Sequence, residues 1–204
     1  MIINANRYFE HPPRYQILHC LRNKVVGGTS IFVDALHVAN VLRETYPTDF
    51  DVLTKTPVSF HYVNDGHHLH REHFTIELAG PLSPSSSQRI SHINYSPPFQ
   101  APLPLSTPSG FYPALRRFSD FLNDEENTFK YTLEEGDAVL FDNRRVLHAR
   151  TAFRDMTEEE WQKTGREGRK AQDGEPDRWL KGCYLEADGL LDRVRVLKST
   201  LDMN

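Results

Sequence analysis

The sequence holds only two cysteines, Cys20 and Cys183, among 204 residues, too few for a disulfide framework. Both lie in apolar, strand-like segments, so buried free thiols in a reducing compartment are expected, with the cytosol as the location. No apolar run approaches the roughly 20 residues that a membrane span needs, which argues against a membrane partner. Basic charge is not in excess either. The formal net charge of −4 gives no basis for nucleic acid or an anionic membrane as the main partner. The opening residues, "MIINANRYFEHPP", show no basic stretch leading into an apolar one, so no secretory leader is expected. Alternating β–α units are missing, which excludes a doubly wound sheet. What remains is 38% hydrophobic, 25% charged and 11% aromatic, the composition of a folded chain with one domain, 1–204, and a sizeable core.

Short strands separated by irregular connections dominate the pattern. "YQILHCL" (Tyr15–Leu21) reads as a strand entered through Pro12–Pro13, and "GGTS" (Gly27–Ser30) as a turn. Phe32, Leu36, Ala39, Leu42 and Tyr46 recur at steps of four and three, predicting one helical face that stops at Pro47. "TPVSFHYV", "HFTIELAG" and "RISHINYS" predict further strands. The histidine-rich "NDGHHLHREH" lies between the first two, and the polar loop "PLSPSSSQ" precedes the third. The proline-dense stretch Pro97–Pro113 predicts no regular structure, and "ALRRFSDFL" after it predicts a helix. "FKYTLEEGDAVLFD" predicts a hairpin turning at Glu135–Gly136. Residues 156–177 are charged and poor in apolar side chains, and read as a surface excursion that begins with a short helix. "RWLKGCYLE" predicts a last strand, and Leu190, Val194 and Leu197 a closing helix. The fold class expected from this pattern is mainly β with helical additions, a sandwich or jelly-roll.

Three groups of residues invite chemistry. His148 ends the strand in "GDAVLFDNRRVLHAR", a place from which a metal ligand is often presented. Arg178 opens a buried strand with a planar fork suited to a carboxylate. If their strands are neighbours, the two would build a metal-and-carboxylate pocket. Arg150, two residues beyond His148, shares its face and either assists the site or ends the strand in solvent. The cluster His67, His68, His70 and His73 has no cysteine nearby and straddles a turn at Asp65–Gly66. It therefore reads as a solvated turn in preference to a zinc site.

"FDNRRVLHART" and "DRWLKGCYLEADGLLDRVRVLKS" resemble the C-terminal end of the γ-butyrobetaine and trimethyllysine dioxygenases, within the TauD/TfdA group of 2-oxoglutarate-dependent, non-haem iron oxygenases. "PPRYQILHCL", "GGTSIFVDAL", "FYPALRRFSDFLN" and "EGDAVLFDN" resemble the same group in the same order, so the likeness covers nearly the whole chain. It implies a double-stranded β-helix, and an enzyme that oxidises a small organic substrate with iron(II) and 2-oxoglutarate. It implies that His148 ligates the metal, and that Arg178 and Ser30 hold the far carboxylate of 2-oxoglutarate. "INYSPPFQAPL" is similar to a segment on the family's substrate side, which makes Asn94 and Tyr95 candidate substrate contacts.

One departure runs against that implication. Where the family has His-x-Asp, this sequence reads Ile3, Asn4 and Ala5, so two of the three iron donors are replaced. Glu10 and His11 are the nearest other candidates, across an extended approach to Pro12. The jelly-roll is therefore expected to be incomplete at the N-terminus, with Met1 not the natural start. The alternative function is a catalytically impaired remnant acting as a partner or structural subunit, its unpaired sheet edge suited to a homo- or hetero-oligomer.

Overall fold

The structure is a computed structural model that describes Ile3 and residues 6–80, 88–164 and 176–202. Twelve strands are present among the described residues: β1 (Tyr15–Asn23), β2 (Val25–Gly27), β3 (Ser30–Asp34), β4 (Pro57–Asn64), β5 (His67–Phe74), β6 (Ile76–Leu78), β7 (Ile90–Ile93), β8 (Thr128–Tyr131), β9 (Ala138–Asp142), β10 (Val146–Arg150), β11 (Phe153–Asp155) and β12 (Arg178–Leu185). The helices are α1 (Ala35–Thr45), α2 (Pro47–Lys55), α3 (Phe111–Asn123), α4 (Glu158–Lys163) and α5 (Ala187–Leu201). All pairings are antiparallel. One sheet has the order β12-β1-β9 and a second the order β10-β3-β8, with the ribbons β2/β11, β4/β5 and β6/β7 beside them.

The helical layer forms the core. Asp34 caps α1 by accepting from the His37 amide at 3.1 Å, and Val38, Ala39 and Leu42 turn inward from the next turns. Phe111, Ala114, Phe118 and Leu122 recur at steps of three and four along α3, and all are fully buried. They pack with Leu53, Phe60, Ile76, Ile93 and Leu147 into a single cluster.

Several sequence expectations need correction. Phe32 lies on β3, so the helix begins three residues later than its apolar spacing suggested. Pro47 does end α1, but it also opens α2, because a missing amide hydrogen costs nothing at the first helical position. The stretch Pro97–Pro113 is not free of regular structure: a single 3-10 turn spans Pro97–Phe99, and α3 begins at Phe111 with Pro113 tolerated in its first turn for the same reason. The turn at Glu135–Gly136 forms, with Gly136 at φ +98° and Asp137 donating to the Glu134 carbonyl at 3.0 Å. Its flanking strands do not pair as a hairpin, however: β8 joins β3 and β9 joins β1. The chain crosses from one sheet to the other there, with Leu133 buried at the corner. The histidine-rich segment is a full strand. Asp65 and Gly66, both at positive φ, make the two-residue turn of the β4–β5 hairpin. His67, His68 and His70 are exposed, and no metal-holding group of three or more ligand side chains occurs among the described residues. Of the two free thiols Cys20 is buried, but Cys183 is exposed, on a strand that carries no buried residue. The expected excursion does begin with a short helix, α4, held by a Thr157/Glu160 capping box; its residues 165–175 lie outside the described residues.

Candidate functional site

The two three-stranded sheets meet across a cavity of about 500 Å³. Register explains which side chains line it. Phe32 pairs with His148, and Ser30 with Arg150, so alternation along β3 and β10 puts all four on one face. From the other sheet come Leu18 on β1 and Leu180 and Arg178 on β12. Three residues singled out in the sequence, Ser30, His148 and Arg178, therefore share one cavity, and Arg150 joins them.

His148 is held from two sides. Its ring packs against Phe141, centroids 5.1 Å apart, and Phe141 in turn packs on Phe32. Burial holds the imidazole below its ordinary pKa, so the ring is neutral at pH 7. Its Nε2 is shut off from solvent without a hydrogen-bond partner. An orphaned nitrogen of this kind is costly, and it is what a neutral imidazole ligand presents before its metal is bound.

Arg178 is seated by backbone. Its Nη2 donates to the Gly28 carbonyl at 3.3 Å, and its guanidinium lies over the Phe153 ring at 5.3 Å. Its Nε is buried without a partner. Burial and the neighbouring Arg150 push its pKa down, and Arg150 stacks on the same Phe153 ring at 4.6 Å. Among the described residues no acidic side chain lines this cavity. Two cations facing one space without a carboxylate make a site that favours an anion. The paired glycines explain the seat. Gly28 sits at φ +70°, and a Cβ there would lie 2.8 Å from Arg178 Nε; at Gly27, φ +89°, a Cβ would meet the Ala152 carbonyl oxygen at 2.3 Å. Sequence reading had taken this pair as a turn only. The double glycine itself was the available signal that some group approaches the backbone closely.

Asn94 and Tyr95 are placed elsewhere. Asn94 is buried, accepting from Arg7 Nη1 at 3.0 Å and donating to the Phe74 carbonyl at 2.9 Å. Tyr95 donates to Ser119 Oγ at 3.0 Å and packs edge-on to Phe118. Neither lines the cavity beside His148. Arg7, missed in the sequence, is nearly fully buried; burial, with help from Arg144, lowers its pKa to about 9.

The iron donors are incomplete. Ile3 forms an antiparallel bridge with His148, its amide donating to the His148 carbonyl at 3.0 Å and its carbonyl accepting from the His148 amide at 2.8 Å. The residue directly across from the histidine, on the same cavity wall, is thus an isoleucine. Three protein donors on one face of an iron centre are not found among the described residues, which hold no group of three or more metal-ligating side chains. His148 is the one histidine, cysteine or carboxylate residue among the described residues lining the cavity. The arginines facing the cavity have the charge and donors that a carboxylate would need, whereas the described residues do not make up a three-donor metal set.

Comparison with known proteins agrees with the geometry. Residues 5–184 match the Taurine catabolism dioxygenase TauD, TfdA family. Dioxygenase str8 of Strobilurus tenacellus is 55% identical over 191 residues, which are 94% of this chain and 42% of that protein. The human γ-butyrobetaine dioxygenase is 29% identical over 195 residues, 94% of this chain and 45% of its own length. The chain thus spans less than half the length of these relatives. Among solved structures, an asparagine oxygenase in complex with Fe(II), 2S,3S-3-hydroxyasparagine and succinate superimposes with a TM-score of 0.59 at 18% identity, covering 91% of this chain and 49% of the other. The fold is the jelly-roll of these enzymes, and the chain belongs to the TauD/TfdA dioxygenase family.

Proposed function

We propose that this chain forms the co-substrate side of a 2-oxoglutarate-dependent, non-haem iron oxygenase that oxidises a small organic molecule. One observation supports it above the others: among the described residues, Arg178 and Arg150 face a cavity lined by no carboxylate, beside a neutral His148 whose Nε2 has no partner. Arg178 and the buried Ser30 would take the far carboxylate of 2-oxoglutarate, with Phe32, Leu18 and Leu180 enclosing its methylene carbons. His148 would give iron(II) one donor. With Ile3 opposite it, the donor set is not completed by the described residues, so no oxidation step is assigned to them. Asn94 and Tyr95 serve in this reading as framework behind the site, their polar atoms already engaged. The two free thiols fit activity in the cytosol, and among the described residues no helix is long and apolar enough to cross a membrane.

Anaerobic calorimetry with 2-oxoglutarate and N-oxalylglycine tests the assignment, with and without added iron(II). Saturable binding is expected, lost at least tenfold in Arg178→Ala and weakened in Gly28→Ala, whose Cβ crowds the guanidinium. His148→Ala should leave metal-free binding in place while removing any response to iron(II). Folded wild-type protein that binds neither compound under either condition would sink the proposal.

A further inference from the structure

A second cavity, of about 580 Å³, lies between α1, the start of β7 and the corner joining β9 to β10. Among the described residues its cations are Arg14, Arg43, Arg89, Arg144 and Arg145, no lysine lines it, and its one acidic lining residue is Asp142. In a chain of net charge −4 this is a strong local concentration of positive charge.

The nearby carboxylates are already engaged. Asp142 Oδ2 accepts from Arg14 Nε at 2.9 Å, and its Oδ1 accepts from the Arg144 backbone amide at 2.8 Å. Asp34, beside the cavity, is taken by Arg145 through both oxygens and by the His37 amide. The side chains of Arg43, Arg89 and Arg144 are left with no ion pair among the described residues. For Arg43 the deficit is sharper. Its Nε and Nη2 are shut off from solvent without an acceptor among the described residues, and its guanidinium carbon lies 4.5 Å from the centre of the Phe50 ring.

Gathering unpaired guanidiniums costs free energy unless an anion offsets their repulsion. The exclusive use of arginine also speaks to the anion's shape. A planar fork of donors matches the tetrahedral oxygens of a phosphoryl group in pairs, which a lysine point charge does not. The volume lies within the range of small-molecule sites, and Leu36 and Ile90 provide an apolar wall for an organic portion. Arg43 sits on α1, Arg14 and Arg89 immediately precede β1 and β7, and Arg144 and Arg145 lie in the turn between β9 and β10.

We propose that this cavity is a binding site for a small phosphorylated anion, separate from the His148–Arg178 cavity, with Arg43, Arg89 and Arg144 as its primary contacts. Arg14 and Arg145, tied to Asp142 and Asp34, hold the frame.

The test is calorimetric titration of the chain with inorganic pyrophosphate at fixed ionic strength, with citrate and a short oligoglutamate peptide as comparison anions. Saturable one-to-one binding of pyrophosphate is expected, weakened about thirtyfold or more in the double variant Arg43→Ala/Arg144→Ala and unchanged in Arg178→Ala. Circular dichroism melting confirms that the double variant is folded; should it not be, Arg89→Ala alone, expected to lose about fivefold, replaces it. Arg144→Lys should lose affinity too, because it keeps the charge and removes the fork. Pyrophosphate binding that is absent, or indifferent to these substitutions, overturns the proposal. Citrate binding as tightly as pyrophosphate overturns the phosphoryl assignment, and tighter binding of oligoglutamate overturns the small-molecule one. Since 2-oxoglutarate titration reports on Arg178 separately, failure here leaves the co-substrate assignment untouched.

Discussion

The two walls of the His148–Arg178 cavity are anchored by different means. His148 and Ser30 stand on a sheet backed by the helical core, in which Leu42, Leu53, Phe118, Leu122 and Leu147 are wholly buried. Arg178 stands on β12, a strand with no buried residue, followed by α5, a helix with none either. Trp179 is 51% exposed there, Val194 51% and Leu201 75%. One wall is fixed by packing; the other is fixed by eight paired positions along β1 and by the Gly28 and Phe153 contacts to a single side chain. His148 therefore depends on the stability of the whole domain, and Arg178 on local register and backbone shape.

The contrast can be broken where it is strongest. Phe118→Ala removes a fully buried ring from the centre of the helical core and should lower stability by about 3–5 kcal/mol, read as a fall in the urea midpoint. A loss under about 1 kcal/mol would mean that packing does not anchor the His148 wall.

Acid should act next. His92 on β7 is pushed down to a pKa of about 3, first by burial and then by Arg7 and Arg144; His73 and His148 are lowered mainly by burial as well. The unfolded chain takes up protons near pH 6.5 that the folded protein refuses. Stability is thus present above that pH and is lost as the pH falls from about 6.5 towards 3. At pH 5 His92 alone accounts for about 2 kcal/mol. Urea midpoints at pH 7 and pH 5 check this, and His92→Gln should flatten the difference. The smallest effect belongs to the other wall. Leu197→Ala in α5, 48% exposed, should change stability by no more than about 0.5 kcal/mol, measured by the same titration; a loss of 2 kcal/mol or more would show that α5 is held after all.

Sequence reading followed the same division. Where a signal is local it was legible: the 3.6-residue spacing of α3, the Asp65–Gly66 turn, the apolar strand of β1. Where the outcome depends on a distant partner it was not. The polar strand β5 exists because β4 pairs along its full length, and nothing in "HHLHREHF" announces that partner. The turn at Gly136 was visible, but not that it hands the chain from one sheet to the other. Cys183 sits among apolar neighbours and is exposed, on a strand that carries no buried residue. Ser30, His148 and Arg178 come together in space although their separations in the chain carry no geometric information. Strand-end position marks His148 and Arg178 as candidates, family resemblance adds Ser30, and periodicity joins none of the three. The second cavity escaped notice for the same reason, since its five arginines are scattered from position 14 to position 145.

The way β12 is held has an evolutionary consequence. Asn23 pairs with Arg178, the Lys24 amide donates to the Asp177 carbonyl at 2.8 Å, and Arg22 Nη1 donates to the Pro176 carbonyl at 3.3 Å. The arginine's address is thus written by β1. Substitutions along β1 that keep this register can accumulate while the guanidinium stays on the Gly28 carbonyl, whereas a slip of one residue would turn it to the opposite face.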